Sequence, residues 1–217
     1  MGGRGASYYS TRLTNRIFGN TGGQAIPIVV SKIKDKSLQG IENRIRKLNH
    51  EEAFIFDSNV QLKEGVSGGS SSVAIPNTWY NMDGAIVTHG HPSARYDFGG
   101  TLSMEDAKIM TETKWAEMRA AANGRGEYNY IMRRTSTSDN NGLRMQIIRD
   151  TPKLEKDIKA EFVNTFKKAT AEGKSISAAN HEAAQVATGI VQRYWRNTLP
   201  KYGFIFVTPK NDYKYGR

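Results

Sequence analysis

The 217 residues contain no cysteine. That absence excludes disulfide staples, thiolate zinc clusters, iron–sulfur centres and cysteine nucleophiles together. Any bound metal must be held by nitrogen and oxygen. Long hydrophobic runs are missing too: none approaches the roughly 18 residues of a membrane span. The opening Met1-Gly-Gly-Arg-Gly-Ala-Ser7 has no apolar core of the kind a secretory leader carries. A soluble, cytosolic protein is the expectation. No repeat of 20–50 residues is visible, which argues against solenoids and propellers. Gly124-Arg-Gly126 is followed by neither G-K-[ST] nor G-x-G-x-x-G, so it reads as a turn and not a phosphate loop.

What is present is ordinary globular usage, 38% hydrophobic and 24% charged, which fits one domain with appendages. The net charge of +10 is unevenly spread. Residues 1–50 carry nine Lys/Arg and two Asp/Glu, residues 51–106 two and eight, and residues 107–217 twenty and eleven. A basic chain invites a polyanionic partner such as nucleic acid. Arg193-Tyr-Trp-Arg196, Tyr202, Phe204 and the tail Tyr213-Lys-Tyr-Gly-Arg217 mix cations with aromatics that could stack single strands. Solvated helix faces and a buried Trp195 are the plainer reading of the same residues. The acidic middle is where a cation would be sought.

Patterning divides the chain into a flexible glycine-rich arm over 1–23, with one short helical turn at 13–18, a core over 24–122, a hairpin and helices over 123–208 and a basic tail over 209–217. An edge strand is expected at 25–30, where Pro27 cannot donate to a ladder. Leu38, Ile41, Ile45 and Leu48 mark an amphipathic helix over 37–49. The runs 53–56 and 60–66, split by Asp57-Ser-Asn59, read as a hairpin. Residues 85–88 form a short buried strand. A helix is expected over 103–122, a second hairpin from 127–134 and 143–149, helices over 152–171 and 177–198, and a last strand at 204–207. The class is α+β, or mixed α/β.

The strand at 85–88 runs straight into His89-Gly-His91. Residues two apart on an extended chain face the same side, so both imidazoles can meet one ion. Twelve residues on, Ser103-Met-Glu-Asp106 opens a helix, and its first turn can bring the Asp106 carboxylate back to the strand end. Two histidines and an aspartate leave a fourth position open, the composition of a catalytic zinc. A nearby carboxylate is then wanted as general base, and Glu51 and Glu52 are the candidates. Adjacent strand residues face opposite ways, so one of the two can reach the metal. Ser103-x-x-Asp106 is at the same time a helix capping box. His181-Glu-Ala-Ala-Gln185 lacks the second histidine of a zinc helix. His50 reads as a solvated helix end or as an outer partner of Glu51.

A glutamate, then His89-Gly-His-Pro92, then Ser103-x-x-Asp106 resembles the JAMM motif of the JAB/MPN zinc metalloproteases. The likeness spans residues 41–122 and is nearest to the bacterial and phage-type branch, which includes phage-tail peptidases and RadC-like proteins. It implies a cytidine-deaminase-like β-sheet flanked by helices, with an extra C-terminal hairpin and helices. It also implies a Zn2+ ion on His89, His91 and Asp106, Ser103 at the oxyanion, Glu51 as general base with Glu52 the alternative, and a protein or peptide substrate. Two features depart from the pattern: Gly90 replaces the usual Asn, Ser or Thr, and the loop from His91 to Ser103 is about four residues longer. By length alone that insertion costs well under ~1 kcal/mol. The rival readings are a virion-structural or binding protein that keeps the fold with little turnover, and a basic nucleic-acid-binding or processing protein.

Overall fold

The computed structural model describes residues 24–70, 72–91, 101–124 and 126–208. The expected arm at 1–23, most of the loop between His91 and Ser103, and the tail at 209–217 lie outside the described residues. Seven strands form one mixed sheet: β1 (Ile26–Pro27), β2 (Glu52–Phe56), β3 (Leu62–Ser67), β4 (Ile86–His91), β5 (Glu117–Gly124), β6 (Gly126–Arg134) and β7 (Phe204–Val207). Their order is β1-β3-β2-β4-β5-β6-β7. Neighbours are antiparallel except β4 and β5, which run parallel. That parallel pair needs a crossover, and helix α2 (Met104–Glu112) supplies it.

The sheet has a core on each face. Helix α1 (Leu38–Ile45) buries Ile41 and Ile45 against Phe54, Phe56 and Ala121. On the other face Ala53, Ile55, Val87, Met118 and Ala120 pack with α2 and with two long helices, α3 (Asn140–Ala171) and α4 (Ile176–Thr198). Strand β2 is buried from end to end, with Phe54 and Phe56 facing α1 and Ala53 and Ile55 facing the larger core. Its period of two is therefore a period of two different interiors. Pro27 does lie on the edge strand. Ser37 caps α1, its hydroxyl oxygen accepting from the Gly40 amide at 3.0 Å.

Two expected elements are corrected. The helix expected to run through residue 122 ends at Glu112, and residues 117–124 are the central strand β5. Alanine favours helix, but Glu117-Met-Arg-Ala-Ala-Ala122 also has a period of two. Met118, Ala120 and Ala122 enter the larger core, while Glu117 and Arg119 face the other side. Pairing to β4 and β6 outweighs local propensity there. The hairpin expected from 127–134 and 143–149 is instead β5–β6. Residues 143–149 belong to α3, which is capped by Asp139, whose carboxylate accepts from the Gly142 amide at 2.8 Å. Leu143 and Ile147, four apart, are buried, while Met145 and Ile148 are exposed, a helical and not an alternating pattern. Pro152, read as a helix start, lies inside α3, where its missing N–H leaves the carbonyl four residues back without its helix bond. No described helix is long and apolar enough to cross a membrane.

Candidate metal centre

His89 and His91 end β4, and Asp106 sits in the first turn of α2. The parallel crossover from β4 places the N-terminus of α2 over the strand end it has just left. The two imidazole Nε2 atoms are 2.9 Å apart. His89 Nε2 lies 3.2 Å from Asp106 Oδ1, and His91 Nε2 lies 3.6 Å from Asp106 Oδ2. The rings meet nearly edge to face, at an interplanar angle of 70°. One ligand atom from each of the three residues falls within 4.8 Å of the others. No second such cluster occurs among the described residues.

The donor set suits a divalent ion. Bonds of ~2.0–2.1 Å in a tetrahedron put neighbouring ligand atoms about 3.3–3.4 Å apart, and the observed separations bracket that edge. Asp106 is also pre-oriented. Its Oδ2 accepts the Ser103 amide at 2.7 Å, while Ser103 Oγ accepts the Asp106 amide at 3.0 Å. The capping box and the candidate ligand set share Asp106. Oδ2 is held by the cap, and Oδ1 is the oxygen facing His89. This leaves Ser103 its own hydroxyl proton to donate.

Electrostatics match the geometry. Burial opposes charge on His89, but the Asp106 carboxylate, the Glu51 charge and a main-chain hydrogen bond at Arg119 outweigh it and raise the pKa. Burial likewise opposes charge on Asp106, yet the charges and hydrogen bonds of His89 and His91 hold it well below the usual carboxylate range. A metal ion bound here would compete with a proton on His89.

The two glutamates diverge as alternation requires. Ala53 pairs with His89, and continuing that antiparallel register puts Glu51 across from His91. Glu51 shares a face with Ala53, on the histidine side, and its charge acts on His89. Glu52 faces α1, where Arg44 Nε and Nη2 each donate to its carboxylate at 3.0 Å and His50 Nε2 lies 3.5 Å away. His50 is therefore a partner of Glu52 on the far face. The Glu51 main chain is clamped beyond the end of β2: its amide donates to the Gly69 carbonyl at 2.7 Å, and the Gly68 amide donates to the Glu51 carbonyl at 2.8 Å. The turn at Gly68 and Gly69 thus fixes the main chain of a candidate site residue.

Behind the histidines the sheet carries a polar network that the sequence reading does not contain. Glu42 of α1 accepts from Arg119 Nε and from Asn129 Nδ2, each at 2.6 Å, and lies within 3.5 Å of Thr88 Oγ1. These hydrogen-bond partners are 46 to 87 residues away, and the local pattern shows only the i,i+4 pair with Arg46, whose Nη2 lies 4.0 Å from Glu42 Oε2. His181 sits on α4 with its Nε2 at 3.0 Å from the Gln185 amide nitrogen, and it is no member of the cluster. Of the aromatic run read as a stacking surface, Trp195 and Phe204 are core residues and Tyr194 donates to Asp150 at 3.2 Å. Comparison with models of protein families, with curated proteins and with solved structures finds no match for this chain.

Proposed function

We propose that this protein is a zinc-dependent peptidase or isopeptidase of JAB/MPN type. One observation carries the reading: His89, His91 and Asp106 converge with ligand atoms 2.9–3.6 Å apart, and a second carboxylate, Glu51, stands on the same side of the sheet. A zinc ion held by these three residues would polarise a scissile carbonyl and bring the pKa of bound water toward ~7. Glu51 takes the proton of the attacking water and returns it to the leaving amine. Ser103, whose lone pair is engaged by the Asp106 amide, turns its hydroxyl proton to the oxyanion. Asp106 keeps its charge at neutral pH because its histidine partners favour the ionised form. The order of elements, a strand ending in H-x-H followed by a capped crossover helix, also supports a JAB/MPN-like fold.

The test compares Glu51→Gln with Glu52→Gln. Both should retain zinc, because neither removes a ligand. Glu51→Gln should lose peptide hydrolysis by about 10²–10⁴-fold, the scale of a positioned acid–base group, and a chelator should abolish the parent activity. Glu52→Gln should stay near the parent rate. If the zinc-loaded parent cleaves nothing in a broad peptide and isopeptide library, the peptidase reading falls.

A further inference from the structure

Asp106 is held by a peptide group that is itself held from the far end of the chain. The Trp195 indole Nε1–H, on α4, donates to the Leu102 carbonyl at 3.0 Å. That carbonyl and the Ser103 amide belong to one peptide unit, and the Ser103 amide donates to Asp106 Oδ2 at 2.7 Å. Indole, peptide and carboxylate therefore form one line of two hydrogen bonds across 93 residues of sequence. Trp195, Leu102 and Ser103 are all buried, so water does not substitute for a lost partner at low cost. Donation into the carbonyl polarises the peptide and strengthens its amide as a donor, because bonds in series are cooperative. Metal-binding side chains are commonly oriented by such outer hydrogen bonds. Here the outer bond reaches one step further, through the main chain.

We propose that Trp195 is a positioning residue of the metal centre: through the Leu102–Ser103 peptide it fixes the Asp106 carboxylate that faces His89 and His91. The C-terminal helix is thereby part of the site's support and not an appendage to it. The metal arm of the test rests on the reading under "Proposed function"; the exchange arm does not.

Trp115 is the matched control. It is fully buried, and its indole donates to a carbonyl, that of Trp79, at 2.6 Å. It lies just past the C-terminal end of α2, away from Asp106. Trp195→Phe and Trp115→Phe should therefore lower the melting temperature of the metal-free protein to a similar degree. Only Trp195→Phe should speed amide exchange at Ser103 and Asp106, by about 10- to 100-fold, the range expected on losing one buried bond. It should also weaken cobalt(II) or zinc binding about 10- to 100-fold, the usual effect of an outer-shell loss, and shift the cobalt visible bands. In the parent, the Trp195 indole proton should exchange at the rate of the Ser103 and Asp106 amides, a measurement that needs no variant. If the two variants behave alike at these amides and in metal binding, or if the parent indole exchanges independently of them, Trp195 is ordinary core and the proposal is overturned. If the parent takes up neither metal, the functional reading falls while the exchange arm still decides the coupling.

Discussion

Gly68 and Gly69 are neighbours of the same residue type, and the structure predicts opposite consequences for the same substitution. A Cβ on Gly68 would stand 2.3 Å from the Ser72 carbonyl oxygen and 2.6 Å from Val73 Cα. Both are main-chain atoms, which cannot rotate away as a side-chain tip can. Relief to an ordinary contact needs about 1 Å of backbone movement, and overpacking of this kind costs ~1–3 kcal/mol. The displaced turn also carries the bonds between Gly68, Gly69 and Glu51, at about 1 kcal/mol each when lost. With both bonds lost the sum is roughly 3–5 kcal/mol. A Cβ on Gly69 would meet nothing nearer than 3.8 Å, and its φ lies outside the left-handed region. Gly69→Ala should be neutral, or stabilising by up to ~1 kcal/mol through the unfolded chain. For a chain of this size 1 kcal/mol moves the melting temperature by about 2–4 °C. Thermal unfolding by circular dichroism should therefore place Gly68→Ala roughly 6–24 °C below Gly69→Ala. Equal melting temperatures, or the reverse order, would show that the turn clamps neither the end of β2 nor the main chain of Glu51.

Two further outcomes test the cluster itself. Asp106→Asn keeps the volume and an oxygen for the Ser103 amide but removes the charge, and His89→Ala removes a ligand. Each should reduce zinc affinity by more than the ~10–100-fold of an outer-shell loss, while His181→Ala keeps the parent's zinc content by elemental analysis. Zinc must also compete with the proton on His89, whose pKa is raised after the neighbouring carboxylates overcome burial. As pH falls, affinity should begin to decline above the ordinary histidine range near ~6.5, and calorimetric titration that finds no decline until below that range would contradict the assignment. In the metal-free protein the same shift stabilises the fold below the unfolded histidine pKa and is lost as pH rises through the raised one. The lowered pKa of Asp106 acts in the opposite sense, stabilising above its unfolded value and being lost as pH falls through the folded one.

The parts of the fold legible in the sequence are those in which neighbouring residues settle the matter. The H-x-H and S-x-x-D patterns each fix a local geometry, a shared strand face and a capped first turn, and both appear as read. The edge strand at Pro27, the 52–67 hairpin and α1 follow from equally local signals. Strand β5 does not, because its alanines favour a helix when judged alone. They become strand by pairing with β4 on one side and β6 on the other, and those contacts are invisible to a window of twelve residues. The start of α3 fails for a related reason. Polar Asn140-Asn-Gly142 looks like a hairpin loop until Asp139 is seen to cap the helix. Trp195, Glu42 and Arg119 are further still from local inference, since each acts on an element many residues away.

Which of Glu51 and Glu52 faces the histidines is decided by packing far from any chemistry. Phe54 and Phe56 are large and belong under α1, whereas Ala53 and Ile55 fit the core beneath the longer helices. That fixes the register of β2. A slip of one residue would bury Glu52 beside the histidines and expose the phenylalanines to the wrong interior. Arg44 reinforces the choice by holding Glu52 on the α1 side. The glycine between the two histidines belongs to the same arrangement. A Cβ at Gly90 would lie 3.4 Å from the Ile45 carbonyl and 3.5 Å from Ile45 Cβ. A methyl group would just touch there, and an asparagine-sized side chain would displace the end of α1. That helix carries Glu42 and Arg44, so its close seat on β4 holds the Arg119 network and the Glu52 pair in place together. Glycine at this position is thus the imprint of α1 on the back of the candidate site. It changes what supports β4 and leaves its two imidazoles where an ion would need them.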